Sequence, residues 1–432
     1  MKNRDKKIQK ILRFFAQLIL KKYQPKVIAV TGSVGKTTTK EMIATVLEDN
    51  FSVWKSEKNY NNEIGIPLAI IGASGEKKNI GQWLLVVVRA VSLIIFSQKY
   101  PEILVLELAA DKKGDIKYFC DFIPIDIGIL TNVGMSHLEN FKTKKAIFKE
   151  KKYLLKKARE LVIYNGDNIS KFKVENNLNV KKISYGINDK DVSAKIVEIG
   201  YHYNGANVLA GMIFKFNYKN NFLSGKVRKL VGKPYLYGEL VALIVADHFK
   251  INLIKALQSL ENFSAIPGHM SLLPGIKNTN IIDDTYNSAP ASVKQALKVV
   301  TQINARRKIV VLGDMLELGI EEERAHKDVG KRVSRIENVI FVAIGNRMKL
   351  ARDGFEDNFI KKRYKEEKRL YWMETSEEAK LLVQNIMKEG DLVLVKGSQG
   401  MRMEKIVEEI MAEPNKKKKL LVRQNKDWQN KS

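Results

Sequence analysis

Cysteine is nearly absent: Cys120 stands alone in a chain of 432 residues. A single thiol excludes an internal disulfide and any cysteine-based zinc cluster, and it suits a reducing cytoplasm. Acidic residues are also scarce, 48 Asp and Glu against 75 Lys and Arg, for a formal charge of +27. Such an excess attracts phosphates, acidic small molecules, nucleic acid or an anionic membrane face, and charge alone does not choose among them. A bilayer-spanning run is missing too. The apolar run 11–20 is short, contains Arg13 and Gln17, and ends in Lys21-Lys22 without a small-residue cleavage site, which argues against a signal peptide. It reads as part of an amphipathic helix within residues 1–25 that packs on the next domain, with contact to a membrane surface as the lesser reading. The run 83–96 is below spanning length, holds Arg89 near its middle, and reads as a buried helix. No internal repeat stands out.

The length calls for two or three domains, and a hydrophobic content of 45% supplies their cores. The stretch that organises the rest is Val27-Ile28-Ala29-Val30 followed by Thr31, Gly32, Ser33, Val34, Gly35, Lys36, Thr37 and Thr38. A short apolar strand, a turn containing glycines and a helix opening on Lys-Thr-Thr form a phosphate cradle, because backbone N–H groups and the helix dipole both favour an anion. The strict P-loop spacing has glycine at position 30, where Val30 stands, so the stretch is a relative of that motif. The plainer reading is an ordinary strand-to-helix turn capped by Ser or Thr.

From Val27 to about residue 161 strand-like and helical runs alternate, which predicts a parallel sheet covered on both faces, with strands at 27–31, 103–108, 126–131 and 161–164. Between 194 and 227 the pattern turns to Tyr/Phe/Val alternation broken by Asn204-Gly205 and Lys219-Asn220-Asn221, the mark of hairpins. Helices at 237–249 and 253–260 close a central ATP-binding domain, 26–265. Pro267-Gly268 reads as a hinge. A second, Rossmann-like α/β domain, 266–413, has strands at 280–283, 308–312, 338–344, 369–373 and 392–395. The basic tail 414–432 is expected to be unstructured. The fold class is thus α/β, a central P-loop-type parallel-sheet ATPase domain followed by a Rossmann-like one.

Ligands of such sheets sit beyond the carboxyl ends of the strands. Glu107 closes the second strand, where Mg²⁺ bound to phosphates needs a carboxylate; a strand-end carboxylate facing water is the alternative. His137, one of five histidines, follows a strand end and a glycine turn, although a lone histidine is more often structural than a ligand. Lys151, inside Lys149-Glu150-Lys151-Lys152, reads on its own as part of a solvated basic helix face.

Taken together, Thr31-Gly32-x-x-Gly35-Lys36-Thr37-Thr38, Asn59 to Pro67, Glu107, Thr131-Asn132-Val133-Gly134-x-x-His137, Asp283 to Pro290, Leu312 to Gly319 and Lys396 to Glu404 resemble the Mur ligase family over residues 27–411, and within it the D-alanyl-D-alanine-adding type. The resemblance implies a cytoplasmic ATP-dependent amide ligase of peptidoglycan precursor synthesis, and so of cell-wall biogenesis, cell shape and division. It would activate a carboxylate as an acyl phosphate for attack by an amine. By the same resemblance, Lys36 holds the β- and γ-phosphates and Thr37 the Mg²⁺ beside them, with residues 31–38 as the nucleotide loop. Glu107 and His137 match metal positions, two Mg²⁺ ions being implied. Lys151 falls on a lysine that is carbamylated in the family, which turns a cation into an anionic oxygen ligand. Asp284 and Asn287 match positions that meet the nucleotide from the C-terminal domain, so that the site completes when two domains close. Asn59, Asn62, Lys396, Ser398 and Arg402 fall on the substrate side. The implied partners are a UDP-linked peptide or related acidic acceptor and D-Ala-D-Ala or another amine, with no nucleic acid and a monomeric chain.

The departures from the family pattern are specific. Only about 25 residues precede Val27, where members of this type carry a domain that grips uridine diphosphate. Leu108-Ala109 replaces Met-Gly. The adenine-holding Gly-x-His-Asn reads Gly232-Lys233-Pro234-Tyr235. An arginine that meets the γ-phosphate is His269, and Lys-Gly-Ser-Arg ends in Gln399. These changes admit two other readings, a ligase with another acceptor or amine and a catalytically weakened ATP-binding relative. A folate or amino-acid polymer synthetase is opposed by the motifs at 283–290 and 396–404.

Overall fold

The computed structural model describes residues 3–57, 60–73, 80–134, 141, 143–169, 174, 179–189, 191–204, 208–359, 369–425 and 428. The chain divides into two units, one of Met1–Ile199, Phe214–Gly225 and Lys233–Phe263, the other of Gly200–Ile213, Lys226–Gly232 and Ser264–Ser432.

Strands β1 (Lys26–Thr31), β2 (Val53–Lys55), β3 (Ile103–Glu107), β4 (Ile127–Leu130), β5 (Leu161–Asn165), β6 (Lys181–Gly186), β7 (Ala194–Tyr203), β8 (Leu209–Tyr218) and β9 (Asn221–Arg228) form one sheet in the order β2-β3-β1-β4-β5-β6-β7-β8-β9. Pairings from β2 through to β7 are parallel. Residues 27–31 of β1 and all of β3 are buried, so these strands read as continuous apolar runs, as strands covered on both faces do. Between β8 and β9 lie two residues, Lys219 and Asn220, both at positive φ (51° and 61°). Two left-handed residues make the type I′ turn whose twist suits a hairpin.

The helices of this unit are α1 (Asn3–Tyr23), α2 (Lys36–Glu48), α3 (Gly65–Ile71), α4 (Ile80–Ile95), α5 (Asp115–Cys120), α6 (Lys144–Lys157), α7 (Gly166–Ile169), α8 (Lys233–His248) and α9 (Leu253–Glu261). α2 packs on α8, and a glycine lets them approach: a Cβ on Gly238 would lie 2.7 Å from the Met42 sulfur. α1 buries Leu12, Ala16, Ile19 and Leu20 and packs on α3 and α4. The stretch expected to be a buried helix, 83–96, is a helix but is buried on one side alone. Val86, Ala90 and Leu93 point inward, while Leu84, Leu85, Val88, Val91 and Ile95 are exposed. Apolar residues on several sides of a helix leave the sequence silent on which side meets a neighbour, and here one side does.

In the second unit, β10 (Ser271–Gly275), β11 (Thr279–Asp284), β12 (Lys308–Gly313), β13 (Val339–Ile344), β14 (Leu370–Met373) and β15 (Leu392–Lys396) form a sheet in the order β10-β11-β15-β12-β13-β14. β10 runs antiparallel to β11 and the other pairs are parallel. Helices α10 (Pro290–Gln302), α11 (Glu322–Val333), α12 (Met348–Phe359), α13 (Ser376–Ile386), α14 (Glu404–Ile410) and α15 (Lys417–Leu420) complete it. Pro290 opens α10 at a position where a missing N–H costs nothing. The expectation of an unstructured tail fails as far as residue 425. Arg423 is buried, ion-paired to Glu404 at 2.8 Å, and donates to the carbonyls of Thr285 and Tyr286. One buried arginine with three acceptors anchors a stretch whose composition alone signals disorder.

Candidate active site

In the parallel sheet, β1, β3 and β4 end side by side: Val30 lies opposite both Glu107 and Ile129. That register brings the loop after β1, the end of β3 and the turn after β4 to one sheet edge, where doubly wound sheets bind ligands. Gly35 adopts φ +83° at the entrance to α2, which has no side-chain cap. Its first-turn N–H groups are therefore available to an anion. Gly32 is required by close approach, since a Cβ there would lie 2.0 Å from the Thr131 hydroxyl. The turn after β4 holds the loop. Asn132 Oδ1 accepts from the N–H groups of Ser33 (3.2 Å) and Val34 (2.9 Å), Thr131 Oγ1 donates to the Val34 carbonyl (2.7 Å), and Gly134 N–H donates to Ser33 Oγ (2.9 Å). Thr31 Oγ1 donates to the Leu108 carbonyl at 2.8 Å, and Thr38 is buried in the first turn of α2.

Thr37 Oγ1 donates to Glu107 Oε2 at 2.9 Å, and the buried Lys40 ammonium lies 4.0 Å from the same carboxylate. Ser56 Oγ fixes the backbone by accepting from Glu107 N–H at 3.0 Å. A hydroxyl and a carboxylate oxygen beside a phosphate loop are hard donors of the kind Mg²⁺ takes. Among the described residues no group of three or more His, Cys, Asp or Glu could hold a metal. Among the described residues the donors that would fit the ion are this pair.

Lys151 lies on the inner side of α6 with Ile147, Leu154 and Leu155, so the solvated-face reading of this helix does not hold for it. Its ammonium donates to the Gly32 carbonyl at 3.1 Å. Burial first, and then the charge of Lys36, push its pKa down to about 7 against the opposing pull of Asp111, Glu150 and Asp115. The neighbouring Glu150 turns the other way and accepts from Gly114 N–H (2.9 Å) and Ile116 N–H (2.8 Å), fixing the loop that enters α5. Lys36 is half-buried at the start of α2. Asn62 caps α3, its Oδ1 accepting from Gly65 N–H at 2.8 Å. Asn59 and His137 lie outside the described residues.

In the second unit, Lys396 at the end of β15 is buried, pairs with Asp284 at 2.7 Å and donates to the Asn287 carbonyl at 2.8 Å. Ser398 Oγ accepts from Leu316 N–H at 2.9 Å, joining the loops after β15 and β12. Arg402, at φ +51°, pairs with Glu404 at 2.7 Å. His269 stacks on Tyr286 with ring centroids 4.4 Å apart, and its Nδ1 lies 2.9 Å from the Pro267 carbonyl. Sequence reasoning did not single out Asp283, Glu404 or Arg423. Asp283 is fully buried, accepts from Gly268 N–H and from the backbone and hydroxyl of Thr285, and is pushed up to about 6 chiefly by burial. The doublet Asp283-Asp284 was the available signal for the first; Arg423, among tail lysines, had none.

A phosphate loop backed by a hydroxyl–carboxylate pair and a buried lysine, followed by a second α/β unit with its own acid–lysine pair, defines a two-unit ligase driven by nucleotide. The Mur ligase middle-domain model matches residues 30–80 and 90–246, and the Mur ligase glutamate ligase domain model matches residues 269–399. The chain belongs to the Mur ligase family of ATP-dependent ligases, and within that family it is MurF-like. It is 28% identical over 414 residues to a UDP-N-acetylmuramoyl-tripeptide--D-alanyl-D-alanine ligase of Bacillus subtilis, covering 93% of this chain and 79% of that protein. A ligase of the same name from Buchnera aphidicola is 29% identical over 407 residues, 92% of this chain and 79% of the relative. In fold it is similar to the MurF ligase of Thermotoga maritima solved with ADP, at a TM-score of 0.74 and 24% identity over 95% of this chain and 84% of that one.

Proposed function

We propose that this chain joins the terminal carboxylate of a UDP-linked muramoyl peptide to D-alanyl-D-alanine in the cytoplasm, with ATP converted to ADP and phosphate. The observation that carries the proposal is the convergence of Lys36, Thr37, Glu107 and Lys151 on one loop, in a chain alignable over nine-tenths of its length with ligases named for that reaction. In the first step a carboxylate oxygen attacks the γ-phosphorus, the bond to the β-phosphate oxygen breaks, and ADP leaves. In the second, the dipeptide amine attacks the acyl carbon, phosphate departs, and the nitrogen gives up its proton.

Both steps are catalysed by placement and charge neutralisation. The α2 N-terminus and Lys36 hold the phosphates. Thr37 and Glu107 would hold Mg²⁺, which supplies further neutralisation of the phosphate charge when bound. Lys151, whose pKa is pushed down to about 7 so that about half of its amine is neutral at pH 7, is suited to carbamylation. Lys396 and Asp284 offer a paired cation and anion to a zwitterionic amine substrate.

The test is ADP release by the purified chain with UDP-muramoyl-tripeptide, each of D-Ala-D-Ala and L-glutamate being supplied in turn, with the product identified by mass spectrometry. Turnover with D-Ala-D-Ala is expected. Turnover with L-glutamate alone would leave the family standing and refute the substrate. A weakened nucleotide-binding relative is the second reading, favoured by Pro234-Tyr235 in place of the adenine-holding His-Asn and by His269. It predicts ATP binding without any substrate-dependent ADP release.

A further inference from the structure

The ligase reading leaves the outer side of α4 without a use. Leu84, Leu85, Val88 and Ile95 are exposed by 63%, 67%, 56% and 66%, with Val91 between them and Phe96 just beyond. The spacing 84, 88, 91, 95 is one helical stripe, and the opposite side is already taken by Val86, Ala90 and Leu93. Single exposed apolar residues are ordinary, whereas a continuous apolar stripe along the outer side of a helix marks a surface that something covers.

α1 lies beside it. Lys22 donates to the carbonyls of Leu93 (2.9 Å), Ile94 (3.0 Å) and Phe96 (2.6 Å), which fastens the end of α1 to the end of α4. α1 adds two exposed apolar groups, Ile11 and Phe14. From residue 6 onward the charges on both helices are of one sign. No Asp or Glu occurs from residue 6 to 40 or from 77 to 101, while Lys6, Lys7, Lys10, Lys21 and Lys22 are exposed along α1. The first half of α4 also lies in the gap, 81–89, between the two segments that the middle-domain model matches. Leu84, Leu85 and Val88 therefore fall where the family model does not match, and Val91, Ile95 and Phe96 where it does.

We propose that α4, with α1 beside it, seats its apolar outer side in the interface of an anionic phospholipid bilayer, the lysines of α1 meeting the headgroups. Apolar side chains entering the acyl boundary under a basic rim are the two components of interfacial binding. A second copy of the chain fits this surface poorly, because an isologous contact would set lysines against lysines with Asp5 as the one acid of the two helices to pair them. The helix lies in the interface and does not cross: its 16 residues reach about 24 Å. Among the described residues no helix is long and apolar enough to span. This inference does not depend on which amine or acceptor the ligase uses.

The experiment is cosedimentation of the full chain at 0.1 M salt with vesicles of phosphatidylcholine and phosphatidylglycerol (3:1), or of phosphatidylcholine alone. Leu85→Glu/Val88→Glu is run beside the natural chain, and its thermal melt and ATP binding check that it folds. The natural chain is expected in the pellet with the anionic vesicles. The double variant is expected to lower the partition coefficient at least tenfold, roughly the effect of losing one buried aliphatic side chain. Two results would overturn the proposal. One is binding that the double variant leaves unchanged and 0.5 M salt abolishes, which is attraction to the general positive charge. The other is a dimer in sedimentation velocity that the double variant splits, with no vesicle binding, which makes the occupant a second copy.

Discussion

Replacing Lys151 by methionine separates its chemistry from its packing. The side chain is buried, it donates one hydrogen bond to the Gly32 carbonyl, and its pKa is pushed down to about 7 by burial and by Lys36. With that value about a tenth of the amine is neutral at pH 6 and about nine-tenths at pH 8, against roughly 0.3% at pH 8 for an ordinary lysine. Only the neutral amine adds CO₂, forming the N–C bond of a carbamate and releasing a proton. At fixed dissolved CO₂ the carbamate scales with the neutral amine and inversely with proton concentration, so short of saturation the ¹³C carbamate signal of the natural chain is expected to rise about a hundredfold per pH unit below pH 7 and about tenfold per unit above it. An ordinary lysine would keep the steeper rise, about a hundredfold per unit, with no break near pH 7. Stability follows the same proton. The folded pKa is depressed, so between about 7 and 10.5 the unfolded chain binds more protons and the fold gains stability as pH rises. Lys151→Met removes a buried cation, so at pH 7 it is expected to melt no lower than the natural chain while losing at least ~100-fold in ADP release. A variant that keeps turnover, or a natural chain that shows no carbamate from pH 7 to 8.5, would refute the reasoning.

Lys36→Ala is expected to weaken ATP binding and to abolish measurable turnover, read by a fluorescent nucleotide titration and by ADP release, with the melt unchanged because the residue is half-buried at a helix start. Glu107→Gln keeps the 2.9 Å contact with Thr37 but loses the charge, so the Mg²⁺ concentration for half-maximal rate is expected to rise about tenfold or more. Gly32→Ala puts a methyl 2.0 Å from the Thr131 hydroxyl, so the loop must shift and ATP affinity is expected to fall with little loss of secondary structure by circular dichroism. Arg423→Ala leaves the Thr285 and Tyr286 carbonyls and one side of Glu404 without their partner. Denaturant unfolding is expected to show a loss of about 3 kcal/mol, the scale for breaking a buried ion pair.

Much of the site was legible in the sequence because its parts are local. A strand, a glycine turn and Lys-Thr-Thr specify a phosphate loop wherever they occur together, and an acid closing an apolar strand marks Glu107. The alternation of apolar strands with helices likewise announced two α/β units. Strands β2, β6 and β10 were not announced: β2 is three residues long, and β6 (Lys181–Gly186) and β10 (Ser271–Gly275) mix polar residues, Pro or Gly into runs that lack the continuous apolar pattern of the other strands.

The tertiary structure decided what depends on which side of an element meets a neighbour. Lys151 sits in a run of lysines that are alike in sequence, and only the docking of α6 behind the phosphate loop buries this one and lowers its pKa. Arg423 looks like the rest of a basic tail until Glu404 and two carbonyls converge on it. In α4 the apolar residues were evident, but their exposure was not, because composition does not say how many sides of a helix find a partner. Sequence set the local chemistry through residue type and spacing; burial, and with it pKa and pairing, arose from contacts between segments far apart in the chain.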